Sequence, residues 1–265
     1  MILLFIVFAL PALLYLASWR AGERLAAPLM IAALALHAGS LFLAVSGTQG
    51  WRFGFATVLS ATLWIGVTVL WLEAISVPVR ALRAIVLPLA AVAVLLPLPF
   101  PGAELGARAT APLFVPHLVV GTLAYGVLAL AALHALLMAT ADRALHSGSS
   151  DARGPLSRLV DDLPPLLALE RMLFRLIAVG FLFLTLTAVS GILFSEEVFG
   201  RALRFDHKTL FTLISWLVFG LLLLGRWRYG WRGRTALRLT FGGFGLLMLA
   251  YVGSRFVLEV ILSRS

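Results

Sequence analysis

Long apolar runs separated by short charged connections recur along the whole of this chain. A transmembrane helix needs about 20 mostly apolar residues to cross the hydrocarbon core of a bilayer. Helices suit this environment because they satisfy their backbone hydrogen bonds internally. The sequence therefore predicts an all-α polytopic membrane bundle of eight helices, at Ile2–Ala17, Ala26–Val45, Phe53–Leu72, Ala84–Phe100, Pro116–Thr140, Leu173–Phe194, Leu210–Gly225 and Leu239–Leu262.

The composition favours one transmembrane domain over residues 1–265. Of these 265 residues, 62% are hydrophobic and 12% are charged, and no polar stretch is long enough to form a second, soluble domain. A net charge of +9 suggests nucleic-acid binding in a soluble protein. Here the arginines lie in short clusters beside apolar spans, which is typical of loops retained on the cytoplasmic side. We therefore expect no nucleic-acid partner.

The basic residues are distributed unevenly between the two ends of the predicted bundle. Of the 21 lysines and arginines, 14 fall at the end reached by the connections after the first, third, fifth and seventh spans, and 7 fall at the other end. Cytoplasmic loops carry an excess of positive charge. The sequence therefore predicts a multi-pass membrane protein with both termini on the outer side.

Two of the five histidines lie at the predicted outer end of the bundle. His117 follows Pro116 at the start of span five, and His207 precedes span seven. Two neutral imidazoles on different helices can ligate a haem iron from opposite sides. The alternative is that each is an interfacial polar residue that caps its helix. Since the chain has no cysteine, a haem held here would be non-covalent.

The other histidines differ in their depth within the membrane. His37 lies roughly 12 Å below the outer edge, and His134 lies roughly 25 Å deeper than His117, at 1.5 Å per residue. An ionisable side chain at such depth is a functional candidate, and an interhelical hydrogen bond is the alternative for both. His146 falls in the predicted cytoplasmic connection, where we expect it to be solvated.

Span five carries a stripe of residues at helical spacing below His117. Gly121 follows at i+4 and Tyr125 at i+8, so an iron ligand, a position of close approach and a flat aromatic ring share one face. This stripe suits packing against a macrocycle and equally suits ordinary helix–helix packing.

Four separated segments resemble the cytochrome c assembly protein family of haem-handling membrane proteins. Their order and spacing agree over roughly residues 84–262, and the closest likeness is to the small eight-span branch, which includes effectors of haem biosynthesis. The segments are HLVVGTLAYGVLAL from His117, LALERMLFRLIAVGFLFLTLTAVSG ending at Gly191, DHKTLFTLISW from Asp206, and GWRGR from Gly230 followed by YVGS from Tyr251.

The resemblance implies a haem held at the outer face between two histidines that flank a tryptophan-rich loop ending in Trp-Asp. His117 matches the first histidine and Asp206 matches the aspartate, but the preceding loop contains no tryptophan. The second external histidine has no counterpart near the C-terminus, and His207, where the family usually has proline, is the candidate replacement. His37 resembles the intramembrane histidine of longer members. These departures weigh against ligation of haem to cytochrome c and leave haem binding as the expectation.

The leading hypothesis is a non-enzymatic membrane protein that assists cytochrome c or haem-protein assembly by holding or moving haem b. His117 and His207 are the expected axial ligands, and His37 is a transit ligand. Asp206 orients an imidazole, Arg201 and Arg204 pair with the propionates, and Tyr125 packs on the macrocycle. The expected partners are haem, membrane lipid and proteins of cytochrome maturation or haem synthesis. The alternatives are a membrane subunit that works without haem and a transporter, although no inverted repeats are evident.

Overall fold

A computed structural model describes residues 2–47, 50–74, 80–106, 112–146, 165–199 and 207–253 of the chain. The described part is predominantly helical, and each of the eight predicted spans corresponds to a helix. These are α1 (Ile2–Arg20), α2 (Glu23–Val45), α3 (Phe55–Glu73), α4 (Arg80–Leu95), α5 (Phe114–His146), α6 (Leu166–Phe199), α7 (His207–Tyr229) and α8 (Gly233–Met248), and a π-helical turn (Leu249–Gly253) follows α8.

Six of the helices are long and apolar enough to cross a membrane: α1, α2, α3, α5, α6 and α7. Helices α4 and α8 have 16 residues each. Helix α4 begins at Arg80 and ends at Leu95, four residues before the predicted start and five before the predicted end at Phe100. Proline disfavours helical backbone at the residue before it, so Pro97 accounts for the early end. Large apolar side chains such as Phe42 and Leu182 are exposed on the outside of the bundle. This surface suits lipid, and the protein is a polytopic membrane protein.

Several helix ends differ from the predicted boundaries. Helix α5 continues to His146, so this residue ends a helix and does not lie in a loop. Helix α6 begins at Leu166 and ends at Phe199, and is longer than predicted at both ends. Helix α8 begins at Gly233, six residues before the predicted Leu239. Hydropathy locates the apolar centre of a span, whereas the backbone hydrogen bonds of a helix continue into its polar flanks.

A small antiparallel sheet, absent from the sequence prediction, lies at one end of the bundle. It joins β1 (Ser46–Gly47), β2 (Gly50–Phe53) and β3 (Ala103–Glu104) in that order. An ion pair of 3.8 Å between Arg52 and Glu104 links β2 to β3. We call this the sheet end. Because the helices alternate in direction, α5 and α7 begin at the sheet end, and α6 and α8 begin at the opposite, arginine-rich end.

The helices pack as two groups, α1–α4 and α5–α8, which meet where α3 contacts α5. Glycines allow the closest approaches between helices. A Cβ atom at Gly126 of α5 would lie 2.6 Å from Ile65 of α3, and one at Gly180 of α6 would lie 2.5 Å from Leu128 of α5. The packing of α5 against α6 forms the candidate site.

Candidate functional site

His117 lies in the first turn of α5, at the sheet end. Pro116 precedes it, at a position where the missing proline N–H costs no helical hydrogen bond. The backbone N–H of His117 donates to the carbonyl of Leu113 at 3.0 Å. The local sequence thus starts the helix and directs a half-buried imidazole toward α6.

A hydrogen bond from Ser190 of α6 orients the His117 ring, and Ser190 is itself held by its own helix. Its Nδ1 lies 3.0 Å from Ser190 Oγ, and Ser190 Oγ donates its own proton to the carbonyl of Thr187 at 3.1 Å. A hydroxyl has one proton to donate, so Ser190 accepts from Nδ1–H. In the neutral ring this assigns the lone pair to Nε2, which is the tautomer that binds a metal through Nε2.

Glycine makes room for this imidazole on α6. A Cβ atom at Gly191 would lie 3.1 Å from Cε1 of His117, closer than a side chain is normally packed. A Cβ at Gly121, one turn below His117, would meet Thr187 Cγ2 at an ordinary 3.5 Å. The ring of His117 therefore packs directly against the backbone of α6 at Gly191. Gly121 makes no comparably close approach to α6.

Tyr125 connects α5 to α8. Its ring is buried, and its hydroxyl donates to the carbonyl of Leu247, two residues before the π-helical turn that begins at Leu249. Turns of this kind occur often at functional sites. Near the sheet end, His117 and Gly121 thus lie against α6. Further from the sheet end, Tyr125 lies against α8.

His207 is the first residue of α7, and its side chain is exposed. Helix α7 is aligned with α6 through Trp216, whose Nε1–H donates to Thr185 Oγ1 at 2.9 Å. Counting along both helices from this contact places His207 roughly 6 Å further toward the sheet end than Ser190, at 1.5 Å per residue. His117 and His207 therefore lie at the same end of the bundle, the sheet end. Asp206, Arg201 and Arg204 lie outside the described residues.

His37 is completely buried in a three-helix hydrogen-bond network. Its Nδ1 bonds to the hydroxyl of Tyr15 on α1 at 3.0 Å, and its Nε2 bonds to Ser60 Oγ on α3 at 2.9 Å. Ser60 lies about 140° around α3 from Ile65, the residue that contacts α5. His37 is thus separated from His117 by α3, and both of its nitrogens are engaged.

His134 lies near the arginine-rich end and pairs with a carboxylate. Its Nε2 is 3.3 Å from Glu73 Oε2 at the end of α3, and its Nδ1 is 2.9 Å from the carbonyl of Leu130. The His134 Nε2 and Glu73 Oε2 atoms lie within ion-pair distance but form no hydrogen bond, so the interhelical hydrogen bond considered for His134 is not formed, and its hydrogen bond to Leu130 lies within α5. Glu73 was not identified from the sequence, although an acidic residue at the end of an apolar span was the available signal.

The donor set at the sheet end fits a haem iron better than a structural metal ion. In the described part of the chain, no group of three or more histidine, cysteine or acidic side chains could hold a metal ion. A haem already supplies four equatorial nitrogens, so its iron needs only axial ligands such as histidine. The glycine-lined, anchored His117 and the exposed His207 provide that chemistry.

Nearly the whole chain matches one known protein family. Residues 2–262 match the model of the family described as cytochrome C assembly protein. The chain belongs to this family. The match also includes residues 2–83, N-terminal to the region in which the sequence resemblance was evident.

Individual relatives match part of the chain. An inner membrane protein of Escherichia coli, YpjD, is 31% identical over 150 residues, which cover 57% of this chain and 54% of the relative. The cytochrome c biogenesis protein CcsA of Synechococcus elongatus is 32% identical over 119 residues, with 44% and 37% covered. CcsA of Heterosigma akashiwo is 36% identical over 92 residues, with 35% and 29% covered. The chain thus spans about half the length of YpjD and a smaller share of each CcsA protein.

The structure adds residues around His117 that the sequence alone did not single out. Ser190 and Thr187 orient His117, and Gly191 admits its ring. All three lie within the segment that resembles the family, where Ser190-Gly191 interrupts an apolar run. This interruption was the sequence signal for a helix contact.

Proposed function

We propose that this protein holds haem b non-covalently at the sheet end, between His117 and His207, and assists cytochrome assembly by holding or moving haem toward the outer face of the inner membrane. The observation that carries the proposal is the anchoring of His117 by Ser190 and Gly191. Membership of the cytochrome C assembly protein family and the similarity to CcsA proteins support it.

Each proposed residue has a distinct part in binding. A bound haem supplies an iron with two axial coordination positions. His117 offers Nε2 because Ser190 accepts from its Nδ1–H, and His207 offers the second imidazole from α7. Asp206 orients His207 by accepting its other ring N–H. With haem bound, Arg201 and Arg204 would form charge-assisted hydrogen bonds with the propionates. Tyr125 holds α5 against α8 and would pack on the macrocycle.

In this proposal the protein is a carrier and not an enzyme. Holding haem requires no bond to be made or broken other than the reversible iron–nitrogen bonds. The partners are therefore haem, the surrounding lipid and a protein of cytochrome maturation or haem synthesis that receives or supplies the haem.

His37 is the proposed transit ligand for haem, and it can bind iron only after one of its hydrogen bonds is broken. To bind iron it must release either Tyr15 or Ser60, and the haem must pass to the other side of α3. We therefore expect His37→Ala to lower the amount of haem retained while the remaining haem keeps its low-spin spectrum. A five-coordinate spectrum in this variant would instead identify His37 as an axial ligand.

The test is the absorption spectrum and haem content of the purified full chain after expression with added haem. The wild type should show a Soret band of six-coordinate, low-spin haem, and His117→Ala and His207→Ala should each convert it to a five-coordinate form. His134→Ala, which removes a buried histidine near the opposite end, is the matched control and should keep the six-coordinate spectrum. A colourless wild type would instead favour a membrane subunit that works without haem.

A further inference from the structure

A cavity of about 340 Å³ opens between α5 and α8 near the arginine-rich end, remote from the histidines of the sheet end. The proposed haem site does not account for this cavity. Helix α5 and helix α8 each contribute one face, with residues spaced three or four apart as on a single helical stripe. The lining residues are Ala139, Asp142, Arg143, Arg234, Leu237, Arg238 and Phe241.

The lining carries an excess of positive charge. Asp142 Oδ2 lies 3.7 Å from Arg234 Nε and so offsets one of three guanidinium groups. Arg143 and Arg238 are exposed and form no ion pair with the residues that the structure describes. The neighbouring Arg226 differs, because it is held by Glu170 at 2.6 Å on another face of the bundle. The cavity therefore suits an anion.

The deepest lining residue on each helix of this cavity is apolar. On α8, Arg234 is in the first turn, Leu237 and Arg238 lie at nearly the same depth, and Phe241 lies roughly 10 Å further toward the membrane centre than Arg234. On α5, which runs in the opposite direction, Ala139 lies roughly 6 Å closer to the membrane centre than Arg143. On each helix an apolar floor, formed by Ala139 or Phe241, thus lies below the arginines.

This order matches an amphiphile with an anionic head and a hydrocarbon chain. We propose that the cavity binds the phosphate headgroup of an anionic phospholipid, with Arg143, Arg234 and Arg238 around the phosphate. Leu237 and Phe241 contact the first part of an acyl chain. Guanidinium groups bind phosphate through paired, charge-assisted hydrogen bonds, and basic pockets between transmembrane helices are typical sites for such headgroups. Free phosphate shares the headgroup chemistry but has no hydrocarbon chain that could contact Leu237 and Phe241.

Native mass spectrometry of the full chain in detergent tests this site without involving haem. The probes are phosphatidylglycerol and, for comparison, phosphatidylcholine, each added at a series of concentrations. We expect the wild type to retain phosphatidylglycerol preferentially. Arg143→Gln combined with Arg238→Gln should weaken this retention by roughly 30-fold, the expectation for the loss of two arginine–lipid contacts.

The matched control removes two exposed arginines at the same end of the bundle that do not line the cavity. Arg228→Gln combined with Arg232→Gln makes the same change in net charge and should leave retention unchanged. Equal losses in the two double variants, or equal retention of the two lipids by the wild type, would overturn the proposal.

Two further measurements separate a lipid from a soluble phosphate. Phe241→Ser should lower phosphatidylglycerol retention because it removes the apolar floor but leaves the arginines in place. Inorganic phosphate at millimolar concentration should fail to displace the bound lipid. Displacement by phosphate, together with no effect of Phe241→Ser, would identify a free-phosphate site and contradict the lipid assignment. Far-UV circular dichroism of every variant confirms that it remains folded.

Discussion

At the level of single residues, the proposed haem site depends on the hydrogen bond between Ser190 Oγ and Nδ1 of His117, which leaves Nε2 for the iron. Removing a hydrogen-bond partner of a metal-binding histidine typically costs 10–100-fold in affinity. Ser190→Ala should therefore weaken haem binding by about that factor, as measured by haem titration followed at the Soret band. Thr122→Ala is the matched control, because the Thr122 hydroxyl donates to the Leu118 carbonyl of its own helix. If the two variants bind haem equally well, Ser190 does not orient the ligand.

A second prediction at this scale concerns the buried network around His37. Tyr15→Phe removes the partner of Nδ1 and leaves a polar atom unsatisfied in an apolar interior. We expect the free energy of unfolding to fall by about 1–3 kcal/mol, measured by unfolding in detergent. Tyr229→Phe should change it by less than about 0.5 kcal/mol, because Tyr229 is 73% exposed. A Tyr15→Phe variant as stable as the wild type would show that the network contributes no stability.

At the scale of helices, the turn between α7 and α8 depends on close packing of Trp231 against Gly225. A Cβ atom at Gly225 would overlap the indole ring of Trp231, so Gly225→Ala must displace Trp231. We expect a loss of about 1–3 kcal/mol. Gly242→Ala in α8 should instead stabilise by roughly 0.5–1 kcal/mol, since nothing lies within 4 Å of its Cβ position. Changes of the same sign in the two variants would contradict this account.

The helices themselves were accessible to sequence reasoning, whereas their contacts were not. Apolar runs predicted all eight helices because lipid imposes a length and a composition on each. The ends of α6 and α8 were missed since hydropathy says little about the polar flanks of a helix. His117 stood out as a candidate by its position alone. Its anchor Ser190 lies 73 residues away, and no pattern along the chain reveals which helices become neighbours.

At the scale of the whole molecule, the excess of arginine at one end predicts the orientation in the membrane. Reporter fusions after Ser149 and Arg234 should report the cytoplasm, and fusions after Gly200 and Ser265 should report the outer side. The physical reason is that short basic loops resist translocation. A cytoplasmic signal at Gly200 would reverse the orientation and move the proposed haem site to the inner face.

In the proposed site, His117 and His207 each place an imidazole on one haem iron. Absorption spectra of His117→Gly and of His207→Gly, recorded before and after the addition of free imidazole, test this pair of ligands. A lost axial ligand leaves a coordination position that imidazole can fill, so each variant should change from a five-coordinate to a six-coordinate, low-spin spectrum. Either variant showing the wild-type spectrum before imidazole is added would contradict the claim.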